Sequence, residues 1–198
     1  MADAHGFRHR VVLVRHGETE WSREGRHTGR TEVPLTERGR EQAQQLSGVL
    51  AQWSFAAVCV SPLQRARDTC ALAGFADRAV VDDDLSEWDY GEYEGMTTRE
   101  VRQSRPGWNV WKDGAPGGES LHAVSQRADR AIRRVHEHQG DVLLIAHGHI
   151  LRIIAARWID QPALLGQHFR LDPACPSVLF HEHEWPTVSA WNLSPSSR

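Results

Sequence analysis

Cysteine is scarce in this chain, with only Cys59, Cys70 and Cys175 among 198 residues. An odd number of thiols in a chain long enough to bury its own core argues against a disulfide framework and for reduced thiols in the cytoplasm. Long apolar runs are missing too. No stretch approaches the roughly 20 residues of a membrane-spanning helix, and Met1-Ala2-Asp3-Ala4-His5 lacks the apolar segment of a secretory signal. A net charge of -3 leaves no bulk attraction to nucleic acid or to an acidic membrane surface. Asp82-Asp83-Asp84 has no glycine or further ligands placed for a calcium loop and reads as a solvated turn. His181 and His183 alternate onto one strand face, but without cysteine beside them they fall short of a metal site. The expectation is a single domain over 1–198 with flexible ends, no metal and no cofactor.

What is present begins with Val11-Val12-Leu13-Val14, a short apolar run rich in β-branched residues that reads as a buried strand. It stops on Arg15-His16-Gly17. In an open α/β sheet ligands bind at the carboxyl ends of strands, which would deliver Arg15 and His16 to the mouth of a site. A guanidinium fork suits phosphate, and a neighbouring histidine can serve as nucleophile or acid/base. The pattern recurs in Val142-Leu143-Leu144-Ile145-Ala146, again a buried strand, again ending on histidine and glycine, His147-Gly148. One such histidine would be unremarkable at a strand end. Two, with an arginine attached, can face each other across neighbouring parallel strands and suggest phosphoryl chemistry.

Between them lie further candidates. Thr36 caps a helix whose Ala43, Leu46, Val49, Leu50 and Trp53 recur at helical spacing. Ala56 to Val60 is a strand ending at Ser61-Pro62, followed by a helix that carries Arg65 and Arg67 near its start and stops at Gly74. An arginine there opposes the helix dipole, so an anion is expected nearby. A second short strand, Ala79 to Val81, leads to Leu85-Ser86-Glu87-Trp88-Asp89-Tyr90-Gly91-Glu92-Tyr93-Glu94-Gly95. Aromatic neighbours desolvate a carboxyl group and help it keep a proton, but spacing does not choose among Glu87, Asp89, Glu92 and Glu94. Thr97 and Glu100 form a capping box. Leu121 to Val135 carries a helical apolar stripe, with His136 and His138 solvated near its end. His149 starts another helix, and Ser177–Glu184 and Thr187–Leu193 read as strands around a Glu-Trp-Pro turn.

Arg15-His16-Gly17-Glu18-Thr19-Glu20-Trp21, then Gly25-Arg26, Gly29 and Pro34-Leu35-Thr36, the Ser61-Pro62-Leu63-Gln64-Arg65-Ala66 block, Leu85 to Gly95, and Ala146-His147-Gly148-His149 follow one another in a set order. Together they resemble the histidine phosphatase superfamily, in its phosphoglycerate-mutase-like branch. The resemblance implies an α/β fold, a three-layer α/β/α sandwich with a mostly parallel central sheet. It implies His16 as nucleophile, Arg15, Arg65 and His147 as phosphate-binding groups, and Glu87 as the acid. Arg67 is left as a surface charge. The long loop from Thr19 to Pro34 would wrap the phosphate through Ser22, Thr28 and the Gly29 backbone, with Gly148 also in contact with substrate. Many relatives carry asparagine where Ser22 stands; this version of the loop is similar to that of phosphatases acting on sugar phosphates. A lid-like insertion, about 92–120, would set what fits through Trp108 and Trp111.

The activity implied is a metal-independent phosphomonoesterase for small phosphorylated metabolites, such as sugar phosphates or phosphoglycerates. A phosphoglycerate mutase would use the same residues, and so would a non-catalytic binder of phosphorylated ligands. The mutases carry a longer, more basic segment between acid and second histidine, whereas Arg99, Arg102, Arg105 and Lys112 are the main cations here. Members of the family are often homodimers.

Overall fold

The computed structural model of the protein describes residues 9–194. The ends that the sequence marks as flexible extend beyond this range. Six strands, β1 (Val11–Arg15), β2 (Phe55–Val60), β3 (Ala79–Val81), β4 (Asp141–Ala146), β5 (Pro176–Glu182) and β6 (Trp185–Ala190), form one sheet in the order β3-β2-β4-β1-β5-β6. The first four in that order run parallel, and β5 and β6 add an antiparallel edge. Among the described residues seven α-helices accompany them: α1 (Glu20–Glu24), α2 (Glu37–Leu50), α3 (Gln64–Leu72), α4 (Thr98–Ser104), α5 (Val110–Asp113), α6 (Leu121–Val135) and α7 (Gly148–Trp158).

Alternation along each strand sorts the core into two layers. Val12 and Val14 of β1 and Leu143 and Ile145 of β4 pack with Leu46 and Leu50 of α2 and Ala66 and Cys70 of α3. Val11, Leu13, Val142 and Leu144 point the other way, against α6 and α7. Successive strand side chains face opposite sides, so central strands buried on both faces must be apolar throughout, as β1 and β4 are. The expected three-layer sandwich follows from this.

Several elements differ from the sequence reading. Part of the loop from Thr19 coils into α1 because Thr19 and Ser22 form a reciprocal cap: the Ser22 N–H donates to Thr19 Oγ1 at 3.1 Å and the Thr19 N–H to Ser22 Oγ at 2.9 Å. The last hairpin turns at His183-Glu184, with His183 at φ 55°, so Trp185 and Pro186 belong to β6. A proline is tolerated there because β6 is the edge of the sheet. His181 and His183 therefore do not share a strand face; His181 packs on Trp158 with ring centroids 4.9 Å apart. His136 is not free in solvent either, since it stacks on Trp158 at 5.2 Å. Asp82 and Asp84 are drawn to α6 by ion pairs with Arg134, and Asp84 also pairs with Arg130. Among the described residues no helix is long and apolar enough to cross a membrane.

Helix α2 presses directly against the turn after β1. Thr36 Oγ1 accepts from the Gly39 N–H at 3.0 Å, and a Cβ on Gly39 would lie 2.0 Å from the Glu18 carbonyl oxygen. That contact admits no side chain, and backbone cannot retreat as a flexible side chain can. Gly39→Ala is expected to destabilise the fold by about 1–3 kcal/mol, read as a lower urea midpoint with an unchanged slope. An unchanged midpoint would show that α2 shifts freely relative to the Glu18 backbone.

Candidate active site

Strands β1 and β4 pair in parallel with Arg15 opposite Ala146, so their last residues end at one level. The His16 N–H donates to the Ala146 carbonyl at 2.9 Å, and the rings of His16 and His147 come within 5.1 Å of each other. His16 Nδ1 lies 2.7 Å from the Gly17 carbonyl oxygen. A carbonyl only accepts, so Nδ1 carries the proton and Nε2 keeps its lone pair. Burial first, then the charges of Arg65 and Arg15, hold the His16 pKa well below 6.5. The imidazole is neutral at ordinary pH. The same causes, burial and then Arg65, lower His147, whose Nε2 bonds Ser61 Oγ at 2.6 Å.

Both arginines are held by carbonyl groups. Arg15 Nη1 donates to Leu171 O at 2.7 Å. Arg65, fully buried, gives Nη1 to Thr31 O and Nη2 to Thr28 O and Gly29 O at 2.8–3.1 Å. Arg15 Nε, Arg65 Nε and His147 Nδ1 are each buried without a hydrogen-bond partner. Buried polar groups are nearly always satisfied. Three unsatisfied nitrogens on the residues that electrostatically shift His16 or sit against it mark a place built to meet an acceptor-rich ligand.

Of the four acidic residues left open by spacing, only Glu87 borders the cavity beside His16. Its Oε1 accepts from the Trp88 and Ile150 N–H groups and its Oε2 from the His149 N–H, each at 3.0 Å. The carboxyl thus sits at the N-terminus of α7, in a more polar cradle than an aromatic-rich segment suggests. Glu94 has another task. Its Oε1 accepts from the Gly29 and Thr31 N–H groups, holding in place the loop whose carbonyls grip Arg65. Asp89 pairs with Arg30 at 2.7 Å, and Glu92 is exposed.

The cavity measures about 580 Å³, and Arg15, His16, Ser22, Thr28, Glu87 and Gly148 contribute to its wall. Gly29 is not part of this wall, and its N–H donates to Glu94 Oε1. Ser22 reaches the wall, but its hydroxyl donates to Thr19 O at 2.9 Å as part of the α1 cap. Arg65 and His147 lie beneath the surface, fully buried. Trp108 and Trp111 line the cavity and are also core, at 2% and 7% exposure. Trp108 Nε1 donates to Gly114 O at 2.8 Å, and the Arg152 guanidinium stands 4.8 Å over the Trp111 ring. Tyr90, His149, His27 and Arg152 also line the wall, and nothing in the sequence assigns them a role in a site. Arginine and histidine beside an aromatic block could have hinted at them, but no spacing joins segments so far apart.

Residues 11–194 match the family model of the histidine phosphatase superfamily (branch 1). The chain belongs to the histidine phosphatase superfamily. This histidine phosphatase is 46% identical over 180 residues to an acid phosphatase of Mycobacterium tuberculosis, covering 88% of each chain. It is 39% identical over 181 residues to the sedoheptulose 1,7-bisphosphatase of Saccharomyces cerevisiae, covering 75% of this chain and 67% of that one. A solved structure of an open reading frame from M. tuberculosis superimposes with a TM-score of 0.90 at 42% identity, over 94% of this chain and 98% of that one. The α/β fold with a mostly parallel sheet is thus the phosphoglycerate-mutase-like one, and the protein is a phosphoric monoester hydrolase by family.

Proposed function

We propose that this histidine phosphatase cleaves small phosphate monoesters, sugar phosphates and phosphoglycerates included, through a phosphohistidine on His16. The observation that carries the reading is the unprotonated Nε2 of His16 set among the unpaired buried nitrogens of Arg15, Arg65 and His147. Nε2 attacks phosphorus as the ester P–O bond breaks, and a difficult displacement becomes two easier ones. Arg15 and Arg65 oppose the charge on the non-bridging oxygens, the task a metal ion performs elsewhere. The unpaired Nδ1 of His147 among groups that face phosphate oxygens is best matched by the tautomer in which Ser61 donates to Nε2 and Nδ1 carries the proton offered to the same oxygens.

Glu87 protonates the departing alkoxide. Oε1 already takes two N–H bonds and Oε2 only one, so Oε2 is the oxygen with room for a proton. The resulting carboxylate then accepts a proton from water as that water attacks phosphorus, the N–P bond breaks and phosphate leaves. Trp108 and Trp111 roof the leaving group, and a sugar phosphate agrees with the yeast relative's name. Three free thiols suit a reducing compartment such as the cytoplasm.

Phosphate release from a panel of phosphomonoesters in the presence of a chelator tests this reading, with 3-phosphoglycerate plus 2,3-bisphosphoglycerate assayed alongside. Chelator-resistant release supports it. Isomerisation without net release would make the protein a mutase instead, and silence in both assays would leave a binding protein.

Acidity supplies a further check. A histidine nucleophile is lost on protonation, so a lowered pKa extends activity downward in pH. Once the substrate's own phosphate ionisation is allowed for, the kcat/KM profile is expected to cross pH 6.5 without a falling limb from His16. Arg65 is the largest charge depressing His16, so in Arg65→Ala the acid limb moves up toward 6.5. A wild-type limb at 6.5 that stays in place when esters of different phosphate acidity are compared would contradict the assigned state of His16.

A further inference from the structure

His149 is a cavity residue whose orientation and proton are both determined by its neighbours. Its imidazole lies against four aromatic groups, with centroids 5.0 Å from Trp111, 5.7 Å from Tyr90, 5.9 Å from Trp88 and 6.5 Å from His27. Such packing leaves the ring little freedom. Tyr90 OH meets Nδ1 at 2.7 Å. Tyr90 is buried at 1% exposure, and burial and the nearby carboxylates of Glu87 and Glu94 keep its phenol protonated. The buried O–H needs an acceptor, and Nδ1 is the one in reach; the reverse arrangement would strand the phenolic proton. Nδ1 therefore carries the lone pair.

Burial also holds His149 well below 6.5, with Arg152 the next contribution, so the ring has one proton and it resides on Nε2. Nδ1 is engaged by Tyr90, so Nε2 is the ring nitrogen left to meet a ligand in the cavity that His149 lines. The same residue donates its backbone N–H to Glu87 Oε2, and its Nδ1 is 3.9 Å from that oxygen. A fixed N–H donor thus stands one side chain away from the oxygen that protonates the leaving group. The chemistry at Glu87 does not use it.

We propose that His149 recognises the leaving alcohol: its Nε2–H donates to a hydroxyl or carboxylate oxygen on the carbon next to the ester carbon. The chain thereby selects esters of polyhydroxy and hydroxy-acid alcohols over plain alkyl esters. This deepens the phosphatase reading and rests on it. A donor held in advance by packing loses little freedom on binding, which makes the single bond effective. Tyr90 is the positioning residue, acting through the tautomer it imposes.

The test compares glycerol 1-phosphate, which carries a hydroxyl on the adjacent carbon, with propyl phosphate, which does not. His149→Phe keeps a packed ring and removes the donor. It is expected to lower kcat/KM about tenfold more for glycerol 1-phosphate than for propyl phosphate, the scale of one lost hydrogen bond, any loss from the stranded Tyr90 O–H being shared by both esters. His149→Gln, whose amide nitrogen can occupy the Nε2 position, restores most of the loss. Tyr90→Phe frees the tautomer and gives a smaller loss confined to the same ester.

Equal losses on both esters, or none on glycerol 1-phosphate, would overturn the proposal while the phosphatase stands. Should His149→Phe fail to fold, the same ester comparison in His149→Gln and Tyr90→Phe decides: a selective deficit in Tyr90→Phe with near-normal His149→Gln supports the proposal, and uniform behaviour overturns it. Phosphate release from neither ester by the wild type would instead bring down the phosphatase reading itself.

Discussion

Replacing His16 with alanine is expected to abolish turnover, with a fall of roughly 10⁴-fold or more, the scale seen when a nucleophile that acts in concert with its partners is removed. The expectation rests on the absence of a substitute at the same place. His147, the neighbouring imidazole, has Nε2 committed to Ser61 and is fully buried, so it cannot move up to attack. The fall should be equally large for alkyl and aryl esters, because bond formation to phosphorus is lost for both. Rapid quenching of the wild type with labelled substrate should trap an acid-labile phosphoenzyme that His16→Ala lacks. The variant also gives up the Nδ1–H bond to Gly17 O, so its melting temperature must be recorded to separate lost chemistry from lost structure. A folded variant keeping more than about a hundredth of wild-type activity would place the nucleophile elsewhere, since so small a loss is below what nucleophile removal costs.

Glu87→Gln is expected to separate leaving groups rather than silence the enzyme. For alkyl esters kcat/KM should fall about 10²–10⁴-fold, the usual contribution of a positioned acid. For a nitrophenyl ester the anion departs without a proton, and kcat/KM should change little. The second step still needs a base, so the variant should release a burst of nitrophenol and then turn over slowly as phosphoenzyme accumulates. One cost is structural. The amide oxygen can keep the Trp88 and Ile150 N–H bonds, but the amide NH2 then opposes the His149 N–H. A buried donor left without an acceptor costs about 1–3 kcal/mol, which a thermal melt would register. Equal losses in kcat/KM for both ester types would mean that Glu87 is not the leaving-group acid.

The two results would act on residues that differ in how they could be found. His16 and His147 were readable because each ends an apolar strand, and burial on both faces forces those strands to be apolar. The helix dipole pointed to Arg65 and Arg67 alike and the family resemblance chose Arg65; Glu87 was one carboxyl among four by spacing, was chosen by the same resemblance, and is the one of the four that borders the cavity. The same resemblance pointed at Ser22 and Gly29 for phosphate contacts. There the local backbone intervened: a cap around α1 engages the Ser22 hydroxyl, and Glu94 takes the Gly29 N–H. Residue type was legible, but the direction of a single proton was not.

Local periodicity, strand-end motifs and glycine placement by themselves determined most helices and strands and the pairing of an arginine and two histidines with phosphoryl chemistry, while the α/β class came with the family resemblance. Those signals lie within a few residues of one another along the chain. Only the tertiary structure decided which nitrogen of His16 is free, which carbonyls hold Arg65, and that Tyr90 orients His149. The Tyr90–His149 bond spans 59 residues and the Glu87–Ile150 bond 63. A tautomer or a hydrogen-bond direction depends on whatever partner the fold brings within 3 Å, and spacing along the chain carries no record of that partner.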